Sequence, residues 1–352
     1  MKRLLQFCIV IGVISLILGA VSFAIGRSWN RSRGYVDIQP ALPQSLAVPL
    51  GEYKEVVWLG ENLLAFRYLP PAVSPSLWNY QLIMYDLDIE DSQEVLLAKP
   101  SKCISVWSVN INRLPNNNLG FLYQCNVSHG SYSLEQDTLY MWDKQINSFQ
   151  VLQAYPEGFA AASYTFAPDM SSLIQEEAVG SGLNNKLYRV GQDGRMDQLF
   201  SDFQRVRAPA WSSDGSLIAF FGTQTYPERK SNDLGYILGL FSYPWDLYLM
   251  DANDQNVHII LSGLAEVHAS EVKWVPQSSL LSFSGKYKNL DGIWIVDVHT
   301  LQLARIWPTR GGYDFSPDGQ QMAIIPWASH GELAPLRPVV IDLPPKVFGT
   351  GK

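Results

Sequence analysis

The chain has 352 residues, 47% hydrophobic and 17% charged, which excludes a disordered chain and provides for a large core. A formal net charge of -7 and the lack of any Lys/Arg run exclude a protein that grips a nucleic-acid backbone. Three cysteines are too few for a disulfide-built scaffold.

The first predicted element is the uncharged run Leu4–Ile25, preceded by Lys2 and Arg3 and followed by Arg27, Arg31 and Arg33. A helix of about 20 apolar residues spans a bilayer core. Secretory signals have a shorter apolar stretch and a small-residue cleavage site. The length favours a retained transmembrane anchor over residues 1–26; a cleaved signal, with Ser22-Phe23-Ala24 as a weak site, is the alternative. Basic residues flank both ends, so their bias on orientation nearly cancels. A short N-terminal tail reads as a signal-anchor, which sends the rest of the chain out of the cytoplasm; with cleavage the protein is secreted. No pair of small residues precedes Cys8 in the manner of a lipidation site. Residues 27–51 contain Pro40, Pro43 and Pro49 and read as a tether.

From residue 52 the sequence repeats. Trp211-Ser212-Ser213-Asp214-Gly215-Ser216-Leu217-Ile218-Ala219-Phe220 has a near copy in Phe315-Ser316-Pro317-Asp318-Gly319-Gln320-Gln321-Met322-Ala323-Ile324. Weaker copies begin at Phe166 and Trp274, and the most degraded at Trp58 and near Ile111. In this unit an aromatic ends one strand, a Pro/Asp/Gly turn reverses the chain, and a small-and-apolar strand returns. A second motif follows each copy, an apolar strand ending in a polar turn: Leu82–Asp86, Leu139–Asp143, Leu187–Val190, Leu247–Asp251, Ile293–Asp297 and Val339–Asp342. Each unit therefore holds four antiparallel strands, A to D, every 40 to 60 residues or so, the pattern of a propeller blade.

The aromatic-Ser-Pro-Asp-Gly turn followed by Leu-Tyr-apolar-Asp resembles the TolB-type propeller repeat, over nearly everything after residue 52. The Gly-His mark of WD repeats is absent, Trp-Asp occurs at Trp142-Asp143 and Trp245-Asp246 without it, and the first two units lack the Pro-Asp-Gly turn. The resemblance implies an all-β, six-bladed β-propeller over residues 52–352, and it is weak for function. Such repeats occur in secreted binding proteins, translocation factors and non-catalytic peptidase domains. The sixth unit lacks a fourth strand, which the tether around Leu46–Leu50 is expected to supply, closing the ring and removing an exposed edge.

Function is sought first in the connections. Between strands B and C the chain is long at Tyr68–Asn79, Asn126–Asp137, Gly222–Trp245 and Trp327–Leu336. These connections leave a propeller on one face, and loops on a rigid scaffold are where binding tends to reside. Tyr68, Trp78, Tyr226, Tyr236, Leu238, Phe241, Tyr243 and Trp245 are the candidate partner contacts. The stretch Tyr236–Trp245 is apolar where loops are usually polar, and it either folds back on the domain or meets a protein partner. Candidate channel-lining residues on the A strands are Arg207, Glu271, Lys273 and Asp314. Cys103 and Cys125, on neighbouring strands, are a candidate disulfide or two ordinary half-buried cysteines.

Chemical motifs are sparse. There is no Gly-x-Ser-x-Gly elbow and no Gly-rich phosphate loop. The five histidines show no metal-binding spacing, and the acidic run Asp86–Asp91 lacks the central Gly of a calcium loop. Asn126-Val127-Ser128 is a glycosylation sequon, meaningful in a eukaryotic secretory setting. No cofactor or metal site is expected. The leading expectation is a non-catalytic, membrane-tethered scaffold that docks a protein through its B–C loops. The alternative is an enzyme or a small-ligand or sugar binder using the central channel.

Overall fold

The computed structural model describes residues 34–38, 42–70, 81–95, 103–115, 118–129, 132–143, 148–155, 159, 161–177, 185–203, 205–223, 245–253, 256–327, 337–344 and 347. For 103–109, 123–129, 132–137, 143, 148–149, 266 and 268–271 only the backbone is described. The apolar run Leu4–Ile25 lies outside these residues, as do Trp78, Tyr226, Tyr236, Leu238, Phe241 and Tyr243. Among the described residues no helix is long and apolar enough to cross a membrane.

Two short strands come first, β1 (Tyr35–Asp37) and β2 (Gln44–Ser45). β3 (Glu52–Trp58), β4 (Leu63–Leu69), β5 (Gln81–Asp86) and β6 (Asp91–Val95) then form an antiparallel sheet in chain order. β7 (Cys103–Arg113), β8 (Leu119–His129), β9 (Tyr132–Asp143) and β10 (Ser148–Ala154) form a second. A third holds β11 (Ala161–Phe166), β12 (Ser172–Glu177), β13 (Lys186–Gly191) and β14 (Met196–Gln198). β15 (Arg205–Trp211), β16 (Leu217–Thr223), β17 (Trp245–Asp251), β18 (Val257–Trp274), β19 (Leu280–Tyr287), β20 (Leu290–Asp297) and β21 (Leu303–Trp307) run on as one sheet. β1 adds to its outer edge, parallel to β21, making eight strands. β22 (Gly311–Phe315), β23 (Gln321–Pro326) and β24 (Val339–Asp342) form the last sheet, completed by β2. The architecture is an all-β propeller of four-stranded antiparallel sheets. Its long sheet arises because β18 pairs with β17 through Val257–Leu264 and with β19 through Leu264–Trp274.

The repeat motif folds for local reasons. At Ser212–Gly215 and Ser316–Gly319 the Gly N–H donates to the Ser carbonyl at 3.0 and 2.8 Å. The Asp carboxylate accepts from the backbone two residues on, at Ser216 and Gln320. Gly215 and Gly319 sit at φ 73° and 70°, the left-handed region open to glycine at no steric cost. In the degraded copy Met170 occupies the same place at φ 60°, a strained position for a residue with a Cβ.

Two expectations are corrected. The last sheet takes its fourth strand from Gln44–Ser45, paired with Val340 and Val339, and not from Leu46–Leu50. Leu46 and Val48 are instead buried, because side chains alternate about the strand and these two turn inward against Trp58 and Tyr85. The supposed long loop Asn126–Asp137 is mostly strand. The ladder of β8 and β9 continues to the pair His129–Tyr132, so this connection is a tight hairpin on long strands. The tether is also held to the domain at β1: the Tyr35 ring packs edge-on against Trp294 at 5.4 Å, and Asp37 pairs with Arg305 at 3.4 Å.

Hydrophobic cores lie between neighbouring sheets. One joins Val57, Ala65 and Leu82 of the first sheet to Ile111, Phe121 and Trp142 of the second. Another joins Trp58, Phe66 and Ile83 to Ala323, Ile325 and Val340, so the last sheet packs against the first. Trp58, Phe220, Phe283 and Trp294 are fully buried in such seams, each burial stabilising by roughly 1.5–3 kcal/mol.

Candidate functional site

The first strands of the repeat units, β3, β7, β11, β15, the second half of β18, and β22, surround an axial cavity of about 530 Å³. Its wall runs from mid-strand to the turns that follow, reaching Pro115, Pro168, Ser213, Pro276 and Pro317. The mouth therefore lies at the end of the domain formed by the A–B and C–D turns. That is the end opposite the B–C connections.

Polar side chains on these strands tie one unit to the next. Asp314 accepts from the Trp58 N–H at 2.8 Å through one oxygen, and pairs with Lys273 Nζ at 3.1 Å through the other. Glu55 accepts from the Ile111 N–H at 2.8 Å, with Arg67 Nε 3.4 Å away. Asn110 and Asn112 donate to the carbonyls of Ala162 and Tyr164 at 3.1 and 3.2 Å. Arg113 reaches the carbonyls of Trp58 and Phe315. The Ala208 N–H donates to Glu176 at 3.0 Å, and the Trp211 N–H to Thr165 Oγ1 at 3.3 Å. The Trp58 and Ala208 N–H groups are buried, and orphaning either would cost about 1–3 kcal/mol.

Burial dominates the electrostatics. It raises the carboxyls of Glu55 and Glu176 above the usual carboxylate range, against the pull of Arg67 on the first and of the Ser163 hydroxyl on the second. Burial lowers the Arg207 guanidinium, which Glu176 partly offsets. Among the described residues no group of three or more His, Cys, Asp or Glu is placed to hold a metal ion.

Of the channel candidates, Lys273 and Asp314 meet directly in the cavity wall. Arg207 instead lies over the Trp245 ring, 5.2 Å from its centroid, with Arg205 at 4.4 Å. The side chain of Glu271 is outside those described. Two partner-contact candidates are buried: Trp245, under those guanidinium groups, and Tyr68, whose hydroxyl donates to the Leu50 carbonyl. Both stand on strands, β17 and β4, that pack between sheets. The ladder sets Cys103 opposite Val127 and Cys125 opposite Val106, so the two cysteines are offset by two positions. Sequence reasoning missed Glu55, Asn110, Asn112, Arg113 and Glu176. The Asn-x-Asn spacing on a first strand was the available signal, since alternate residues there share a face.

No protein-family model matches the sequence, and no curated protein is recognisably similar to it. Solved structures are. TolB from Acinetobacter baumannii superposes with a TM-score of 0.50 at 12% identity, covering 72% of this chain and 53% of that one. The chain thus spans about half the length of that TolB. An α-L-arabinanase from Penicillium chrysogenum, complexed with arabinobiose, gives 0.59 at 9% identity, over 86% of this chain and 99% of that one. A gluconolactonase from Xanthomonas campestris gives 0.51 at 13%, over 88% and 97%. At these identities the likeness is one of fold, and its conclusion is that the chain is a β-propeller whose structural neighbours include a TolB.

Proposed function

We propose that the chain is a six-bladed propeller that binds a protein partner without catalysis, held outside the cytoplasm by a membrane anchor at Leu4–Ile25. The six-blade reading divides the eight-stranded sheet at β18 into two blades with a shared strand. It is supported by the six hydrophobic clusters, each of which falls between one four-stranded unit and the next. The observation that carries the non-catalytic reading is the state of the cavity carboxylates. Among the described residues Glu55 and Asp314 are the carboxylates that line it, and each has one oxygen accepting a backbone N–H from a neighbouring unit, which ties it to structure. The partner is assigned to the B–C loop face because of the length and aromatic content of residues 224–244. The test is affinity capture with the intact chain and with a variant lacking residues 226–243. Proteins held by the intact chain and lost by the variant support the assignment; identical recovery ends it.

A second reading, a small-ligand site in the axial cavity, is favoured by Trp211. Its indole Nε1 is buried in the cavity wall with no hydrogen-bond partner among the described residues. Thermal shifts of wild type and Trp211→Phe against mono- and oligosaccharides test it. A ligand that stabilises the wild type and not the variant supports this reading.

A further inference from the structure

The direction in which the chain enters the propeller assigns a face to the membrane. β1 pairs parallel with β21, with Tyr35 opposite Leu303, Val36 opposite Ala304 and Asp37 opposite Arg305. β21 is the last strand of its unit, and it starts directly after the turn that joins it to β20. Strands alternate in direction across each unit. The β20–β21 turn therefore lies at the same end as the A–B turns, where Pro276 and Pro317 edge the cavity. Because β1 runs alongside β21 in the same sense, its first residue also lies at that end. Gly34 and Tyr35, the first described residues, therefore stand at that end.

We infer that the end of the propeller that carries the cavity mouth is the face presented to the bilayer. The inference rests on the anchor reading above. Ile25 and Tyr35 are separated by about nine residues, which span at most about 30 Å when fully extended. The pairing of β1 with the rim is held by the Ile38 N–H to Arg305 carbonyl bond at 2.9 Å, the Asp37–Arg305 ion pair and the Tyr35–Trp294 contact. Adsorption to anionic lipid does not explain the orientation. The turns at this end carry Asp169, Asp214 and Asp318, whose carboxyls are held below the usual range by hydrogen bonds from Ser171, Ser212 and Ser316. A face of ionised aspartates is repelled by an anionic surface, so the tether sets the geometry. A molecule reaching the axial cavity at this mouth then comes through the space between domain and bilayer.

The test uses the full chain in phosphatidylcholine vesicles containing a headgroup-labelled acceptor lipid. A clickable non-natural residue carries the donor dye, one site at a time. Ser213 and Gln320 are exposed at the cavity end; Leu50 and Ser201 are exposed at the other. Inner strands of about seven residues at about 3.3 Å each separate the two ends by about 20 Å, so energy transfer from the cavity end is expected to be about twice that from the other. A ratio of one or below, with the protein still in the vesicles after a carbonate wash, overturns the face assignment and leaves the anchor intact. Loss of the protein in that wash overturns the anchor reading, and this inference with it. The double variant Tyr35→Ala/Asp37→Arg, which loosens β1 from β21, is expected to bring the ratio toward one; an unchanged ratio also overturns the assignment.

Discussion

Two seams of the ring are held in different ways. Between the β15–β18 and β18–β21 units the chain is continuous: β18 runs unbroken through both, and Phe221, Phe283 and Trp294 pack across them. Between the last unit and the first there is no such strand. That seam is closed by β2 on β24, by Leu46 and Val48 driven into the core, and by the Asp314–Trp58 hydrogen bond. A seam crossed by backbone keeps its neighbours close even when a side chain is lost. The backbone that crosses the closing seam, residues 46–51, is tied to the last sheet through β2 on β24, so non-covalent contacts alone offset the entropy of closing the ring.

The largest expected effect is at the closing seam. Leu46 and Leu264 are equally buried, at 1% and 0% exposure, so the loss of transfer free energy on truncation is the same. Leu46→Ala is expected to cost about 4 kcal/mol and Leu264→Ala about 2–3 kcal/mol, within the range for buried leucines. Chemical denaturation measures both, and equal losses would remove the distinction between the seams. Next is Asp314→Ala, which leaves the Trp58 N–H without its acceptor and Lys273 without its counter-ion, at about 3 kcal/mol. Asp314→Asn keeps an acceptor and is expected to lose about 1 kcal/mol, so the difference isolates the ion pair.

A subtler effect is expected at Glu55. Its carboxyl is raised above its unfolded value by burial, so the stability gained from protonation is present at low pH and lost as pH rises through the folded value. Wild type should therefore gain on Glu55→Gln between pH 7 and pH 5 in thermal unfolding. The turn aspartates, whose values are lowered, act in the opposite sense, but they are common to both proteins and cancel in the difference. A constant difference across that range would mean that Arg67 and Lys273 outweigh burial. The smallest effect expected is a gain: Met170→Gly should add about 0.5–1 kcal/mol, relief of the left-handed strain exceeding the extra freedom of the unfolded chain.

Much of the fold was legible because its signals are local. The Ser-Ser-Asp-Gly and Ser-Pro-Asp-Gly turns carry their hydrogen bonds within four or five residues, so reading Trp211–Phe220 sufficed to read the turn and both strands. The site was less legible. Lys273 and Asp314 stood out as charges on first strands. Glu55, Asn112 and Glu176 did not, because their partners Ile111, Tyr164 and Ala208 are 32 to 56 residues away. Aromatics in connections were overread: Tyr68 and Trp245 belong to strand ends, where the ladder continued past the expected boundary. Register shifts near Cys103 and Val106, which no residue pattern announces, bring Cys103 closer to Cys125 than an unbroken ladder would and still leave it opposite Val127.

By itself the amino-acid sequence determined the repeating four-strand unit, its turns and the apolar run at Leu4–Ile25, since each depends on neighbours in the chain. Tertiary structure alone decided that Gln44–Ser45 closes the last sheet, that β1 lies parallel to β21, and that the cavity opens at the turn end. Those outcomes depend on which strand edge is left unpaired once the units pack, and an edge exists only after the sheets have formed.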